Sequence, residues 1–265
     1  MNFFSKYLWI ALTAARSNMA YIGEVSSRFI FLGVILYIFM RLWQVTYHET
    51  SASQLGGLTL TQMMWYLTIT EAISLSATKV AQEVDEDVRN GTLAVQLTKP
   101  ISYVLYRLAT SLGERTIIFS MNLLIGAIIA NTMVGSTPLS LAGLLLLACT
   151  LPLAFLLDFL GNFIIGLAAF WLEDTSGLAL IYSRITWILG GLLIPLELFP
   201  YWLQPLVKAL PFASMIYGPA KIFVAPDINN FVEIISRQIM ASLAFSICLI
   251  ILYRIALRRV FANGG

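Results

Sequence analysis

The sequence predicts an all-α integral membrane protein. It calls for six transmembrane helices, an N-terminal interfacial helix, a cytoplasmic helix between the second and third spans, and short re-entrant helices between the fifth and sixth. Three observations carry that prediction. The 265 residues are 59% hydrophobic and only 11% charged, with a mean hydropathy of +0.83, too little charge to cover a soluble exterior of this size. Several apolar runs reach the roughly 20 residues that a helix needs to cross a bilayer. One polar island, Glu83 to Pro100, breaks those runs with clustered charge and with Gly and Pro punctuation.

Taken in order, residues 1–22 mix Phe3, Phe4, Tyr7, Leu8, Trp9 and Ile10 with Lys6, Arg16 and Asn18. The apolar stretch between Lys6 and Arg16 is too short to span. It could be a leader segment ending near Ala14-Ala15, but a spanning run follows almost at once, which favours an amphipathic helix lying in the interface with Tyr7 and Trp9 at headgroup depth. The first span is expected at 25–45, the second at 61–81 and the third at 112–134. A Gly135-Ser136-Thr137-Pro138 turn leads to a fourth at 139–171, long for one crossing and open to a kink at Pro152. After the short polar turn Glu173 to Gly177, the fifth span is expected at 178–195 and the sixth at 232–254. The segment 196–226 is apolar but carries five prolines, so it suits short half-helices shielded by protein rather than a continuous span. The whole chain reads as one domain.

Orientation follows from the basic residues. With a cytoplasmic N-terminus, six spans leave Lys6, Arg16, Arg28, Lys79, Arg89, Lys99, Arg107, Arg115, Arg184, Arg254, Arg258 and Arg259 inside or on its flank. Arg41, Lys208, Lys221 and Arg237 remain outside. That is a positive-inside bias, which makes the island cytoplasmic and the proline-rich segment outward.

Several function classes are excluded. No G-x-x-x-x-G-K-[ST] occurs and there is no Gly-Lys pair, so no P-loop holds nucleotide. A single histidine, His48, rules out H-E-x-x-H and reads as a solvated loop residue, and no G-x-S-x-G is present. Cys149 and Cys248 lie within apolar runs and read as small buried hydrophobes. Nothing points to nucleic acid or to a metal.

The island should form a short helix. Acidic residues at 83, 85, 86 and 87 suit a helix N-terminal turn, and Asn90-Gly91 can end it. Leu93 and Leu97 then present one apolar face, Lys99-Pro100 stops that element, and Ile101 to Leu112 can run as an interfacial helix into the third span. By composition it is a solvated loop with charged decoration; its length and ordered punctuation favour a docking surface for a cytoplasmic partner.

Asp87-Val88-Arg89-Asn90-Gly91-Thr92-Leu93, followed by Leu97-Thr98-Lys99-Pro100, resembles the cytoplasmic element of ABC-2 type transporter permeases. Phe170-Trp171-Leu172-Glu173, Gly190-Gly191, Pro195, Phe199-Pro200 and Leu210-Pro211-Phe212 are similar to one bacterial branch of that family. The resemblance covers nearly the whole chain. It implies a transmembrane subunit of an ATP-driven exporter in the bacterial inner membrane, paired with a second permease chain, identical or related. A cytoplasmic ABC ATPase dimer would bind the ATP and Mg, leaving this chain without cofactor or catalytic residue. It further implies that the island is the coupling helix, with Glu83, Asp85, Glu86, Asp87, Arg89, Gly91 and Thr92 facing the ATPase and the N-terminal helix as a second contact.

Within the spans, Glu71, Asp158 and Asn162 are expected either to line a translocation path or to tie helices together as hydrogen-bonded groups. Arg184 is expected to pair with Glu173 or Asp174. Glu197, Phe199, Tyr201 and Trp202 are placed at an outer gate, the aromatics also serving as interfacial anchors. Two rival readings are an ion-coupled secondary transporter using Glu71 and Asp158, and a membrane enzyme or scaffold without transport.

Overall fold

The computed structural model describes residues 3–19, 22–135 and 140–263. Among these the regular structure is helical, apart from one isolated bridge between Leu55 and Leu58. The predicted turn at 135–138 falls largely on 136–139, outside the described residues. Among the described residues four helices are long and apolar enough to cross a membrane, over Ile30–Thr50, Tyr103–Val134, Leu141–Phe170 and Ile228–Arg258.

The first helix, α1 (Phe3–Met19), lies against α6 (Tyr103–Val134) and leaves Leu8, Trp9 and Leu12 exposed. The backbone N–H of Ser102 donates to the Tyr7 hydroxyl at 3.1 Å, and Lys6 Nζ donates to the Pro100 carbonyl at 3.4 Å. Next, α2 (Ile22–Thr50) has two opposed stripes. Leu32, Leu36, Met40, Trp43 and Tyr47 are buried at spacings of three and four, while Ile30, Phe31, Val34, Ile38, Leu42 and Val45 are exposed. His48 sits in its exposed last turn, so it is helical rather than the loop residue expected.

At the centre stands α3 (Leu60–Leu75), opened by a Thr59–Gln62 capping box. Every residue from Met63 to Ile73 is buried, so the helix is enclosed by its own chain. It stops six residues short of the predicted 61–81. The reason is local: Ser76 Oγ donates to the Ile73 carbonyl at 2.7 Å and Arg115 Nη2 reaches the same oxygen at 3.4 Å, satisfying a terminal acceptor that another turn would have used.

The island forms α4 (Val80–Arg89) and α5 (Thr92–Leu97). Ser102 then caps α6, which runs unbroken for 32 residues, so the interfacial helix and third span expected separately are one rod. At 1.5 Å per residue it is about 48 Å long, well beyond the hydrocarbon thickness of about 30 Å. In α7 (Leu141–Leu167) the helix passes through Pro152 without a break and ends in a 3-10 turn at Ala168–Phe170. Cys149 on α7 and Cys248 on α12 (Ile228–Asn263) are exposed, correcting the expectation that they are buried; both fall on outward apolar faces.

The predicted fifth span contains a helix of only 14 residues, α8 (Ser176–Leu189). The proline-rich segment folds into α9 (Gln204–Ala209), α10 (Pro211–Met215) and α11 (Tyr217–Val224), with prolines at the starts of the first two. Carbonyls here are taken by side chains of α3 and α12. Tyr66 donates to Gly191, Thr70 to Leu192 at 2.7 Å, Gln62 to Val224 at 3.1 Å, and Gln238 to Ser214 at 2.9 Å. That satisfaction is what permits non-helical chain within an apolar body.

These contacts also define two ends of the bundle. One gathers α4, α5, the start of α6 and the ends of α7 and α12 around Val84, Leu93, Tyr103, Phe163 and Ala256. The other gathers α9–α11 near the start of α3 and the end of α8.

Candidate functional site

The α4–α5 element is built from an apolar face, an acidic flank and a glycine hinge. Val80, Ala81 and Val84 bury one side of α4 against the end of α7. Gly166 permits this approach, since a Cβ there would stand 2.8 Å from the Ala81 carbonyl oxygen. The acidic flank turns inward too. Arg107 of α6 pairs with Asp87 and, at 2.7 Å, with Glu83, while the Tyr103 hydroxyl donates to Asp87 at 2.6 Å. Burial pushes the Glu83 carboxyl up, outweighing the lowering pull of Arg107.

Asp85 accepts from Thr175 Oγ1 at 2.9 Å and pairs with Arg89 at 2.9 Å. Arg89 reaches Asp174 at 3.5 Å. Asp174 in turn accepts from the Ser176 backbone N–H and hydroxyl, both at 2.8 Å. Those two bonds, the backbone N–H first, hold its carboxyl below the usual range and anchor the start of α8.

The seven island residues therefore divide. Glu83, Asp85 and Asp87 fasten the element to its own chain. Glu86, Arg89, Gly91 and Thr92 are exposed, together with Asn90 and Val95, and Val95 is 61% exposed. Gly91 adopts φ +69°, a left-handed turn that breaks α4 from α5 and swings Leu93 back into the core. The outward face is thus a turn flanked by mixed charge and one apolar side chain.

Deeper in, Asp158 of α7 is held by Arg115 of α6, and Asn162 Nδ2 donates to it at 3.2 Å. The Arg115 guanidinium also lies 4.3 Å from the Phe155 ring centroid. Asp158 and Asn162 line a cavity of about 440 Å³ with Lys79, Gln82, Tyr182 and Ser183. Glu71 is 3% exposed within α3 and is not among the residues lining that cavity. The structure therefore brings Asp158 and Asn162 together and leaves Glu71 apart.

At the opposite end Glu197 accepts from the Tyr217 hydroxyl at 2.6 Å and pairs with Lys221 at 2.7 Å. Tyr201 and Trp202 point away, 92% and 76% exposed, and Phe199 is half-buried, so the four outer residues do not form one cluster. Arg184 corrects another expectation. It pairs with neither Glu173 nor Asp174 but lies over the Trp187 ring, 4.2 Å from its centroid, while Asp174 is taken by Arg89. Arg184 stands eight residues beyond Ser176, about 12 Å along the axis from the helix start that Asp174 anchors.

A model of the ABC-2 family transporter protein matches residues 10–264. The chain belongs to this family. No curated protein matches it. It is an ABC-2 permease, a multi-pass membrane component of an ABC transporter.

In this ABC-2 permease the buried polar side chains that tie the site together, and whose role sequence reasoning missed, lie on α6. Tyr103, Arg107, Ser111 and Arg115 recur at every fourth residue; Tyr103, Ser111 and Arg115 are buried and Arg107 nearly so. Ser111 Oγ and Thr78 Oγ1 share a hydrogen bond at 2.7 Å, which ties the α3–α4 connection to the same stripe. The signal was present as a polar face at i, i+4, i+8 and i+12 inside an otherwise apolar run.

Proposed function

We propose that this permease is the transmembrane subunit of an ATP-driven exporter, and that α4–α5 is the element through which a cytoplasmic ABC ATPase dimer acts on it. The observation that carries the reading is the division of the island. Three inward acids bind α4 to α6 and to the start of α8, while Glu86, Asn90, Gly91, Thr92 and Val95 face solvent. An element fixed on one side and open on the other can pass a push from a partner into the spans. The α6 polar stripe supplies the path, since Arg107 and Arg115 are eight residues, or about 12 Å, apart on one face of a continuous helix. Movement of α4 then bears on the Arg115–Asp158 pair and on the cavity beside it, the kind of two-state element such coupling needs.

In this reading α3 and α8 are the second and fifth crossings, although each is short. Each runs between the two gathered ends of the bundle, and the proline-rich segment covers the outward end. Both termini are cytoplasmic in a bacterial inner membrane, in keeping with the positive-inside bias. A second permease chain completes the translocation path, Asp158 and Asn162 belong to its wall, and Glu197 with Lys221 closes the outer end. ATP and Mg reside on the ATPase.

The test is a pair of surface substitutions, Glu86→Lys and Val95→Asp. Both positions are exposed, so membrane levels and thermal stability should be unchanged. ATPase co-purification should fall by about tenfold or more, as expected when a contact at the centre of an interface is lost. Unaltered co-purification and unaltered ATP-dependent transport in both variants would sink the reading. Transport that follows a pH gradient without any ATPase would favour the ion-coupled alternative.

A further inference from the structure

Arg184 of α8 is a cation that everything above leaves without a partner. Arg184 sits in the ninth position of α8, on an exposed face, and among the described residues it forms no ion pair and its guanidinium donates to no acceptor. Trp187 offers it a ring face, but an aromatic face accepts none of the five N–H bonds that a guanidinium can donate in fixed directions. With α8 read as the fifth crossing, an ionised side chain about two turns into it and without a partner calls for one.

Beside it lies an apolar cavity of about 230 Å³, lined by Arg184, Trp187, Ile188, Leu192, Ile194 and Phe199. Arg184 is the one charged residue in that lining. The volume is below the roughly 300 Å³ of a site that encloses a drug-sized molecule, so it fits part of an alkyl chain. The indole of Trp187 also lines the polar cavity that holds Asp158 and Asn162. A polar and an apolar compartment thus meet along α8, with a free cation at the apolar one.

Two carboxylates within the spans of a second copy are not available to that cation. The copy's Asp158 is held by Arg115 and its Glu71 is buried inside α3, so neither carboxylate is presented to a facing α8. The missing partner combines an oxyanion with an apolar tail.

We propose that Arg184 and the adjoining cavity form a binding site for an anionic amphiphile. The guanidinium grips a carboxylate or phosphate head through paired N–H···O bonds, and the alkyl chain lies against Trp187, Leu192 and Ile194. The inference rests on the transport reading above and adds the chemical class of cargo.

The experiment uses the full-length permease in neutral phosphatidylcholine vesicles. It compares photoreactive dodecanoic acid at pH 8 with the photoreactive alcohol of the same chain length, mapping adducts by mass spectrometry. The acid should label residues 184–199 about tenfold more than the alcohol, the ratio given by one charge-assisted hydrogen bond. Arg184→Gln should abolish that preference, and Arg184→Lys should keep much of it. Equal labelling by both probes would mean bilayer exposure only and would overturn the site. So would Arg184→Gln changing the chain's oligomeric state with no preference for the acid in wild type, since Arg184 would then face another permease. Acid-selective labelling together with unaffected ATPase binding in Glu86→Lys and Val95→Asp would retain the site and reject the coupling reading. Charge-blind labelling with intact coupling would do the reverse.

Discussion

Arg115 and Asp158 form a buried ion pair between α6 and α7. The pair is almost wholly buried, with side-chain exposures of 4% and 12%. Removing one member leaves the other charged in apolar surroundings, whereas replacing both by apolar groups of similar size is often neutral. Arg115→Ala should therefore destabilise the permease by about 3–5 kcal/mol, read as a lower unfolding temperature in detergent. Arg115→Met combined with Asp158→Leu should recover most of that loss. The double variant also separates two roles that single substitutions confound. Stable but transport-dead protein would assign Asp158 to the path, and stable, active protein would assign it to helix packing.

Among the elements, α4 and α5 carry the sharpest local prediction. Gly91 has φ +69° and nothing lies within 4 Å of where its Cβ would be, so Gly91→Ala meets no clash, only the backbone penalty of about 1–2 kcal/mol for a left-handed alanine. Coupling to the ATPase should weaken more than stability does, because the substitution re-aims α5 without unpacking α4; transport-linked ATP hydrolysis measured against melting temperature tests this. The same element shows what a sequence discloses. Asn90-Gly91 and Pro100 end helices through local backbone chemistry, so those boundaries were legible. The inward anchoring of Glu83 and Asp87 was not, because it depends on Arg107 and Tyr103 arriving from another helix. The end of α3 was hidden for a similar reason: Ser76 and Arg115 intercept a carbonyl inside a stretch whose hydropathy continues to Ala81. Arg184 was misread because Glu173 and Asp174 are near it in the chain but lie before the start of α8, about 12 Å back along the helix.

For the whole molecule, length and hydropathy together located the long membrane helices, while the short ones depend on tertiary enclosure. That enclosure has a consequence for biogenesis. Part of what surrounds α3 is synthesised long after it: Thr70 bonds a carbonyl 122 residues downstream and Gln62 one 162 residues downstream. A nascent chain thus carries α3, with its Glu71 and without the downstream acceptors of Thr70 and Gln62, through most of translation before the shell is complete. Chains released before residue 210 should be unable to retain α3 in a protected state and should be cleared by membrane proteases, while chains released after residue 226 should persist. Pulse-chase of stalled or truncated forms would read this as a step in half-life between those two lengths, and a smooth decline with length would contradict it. The centre of this permease is thus completed only late in synthesis, and a quality-control system that senses exposed α3 would know that the chain was cut short.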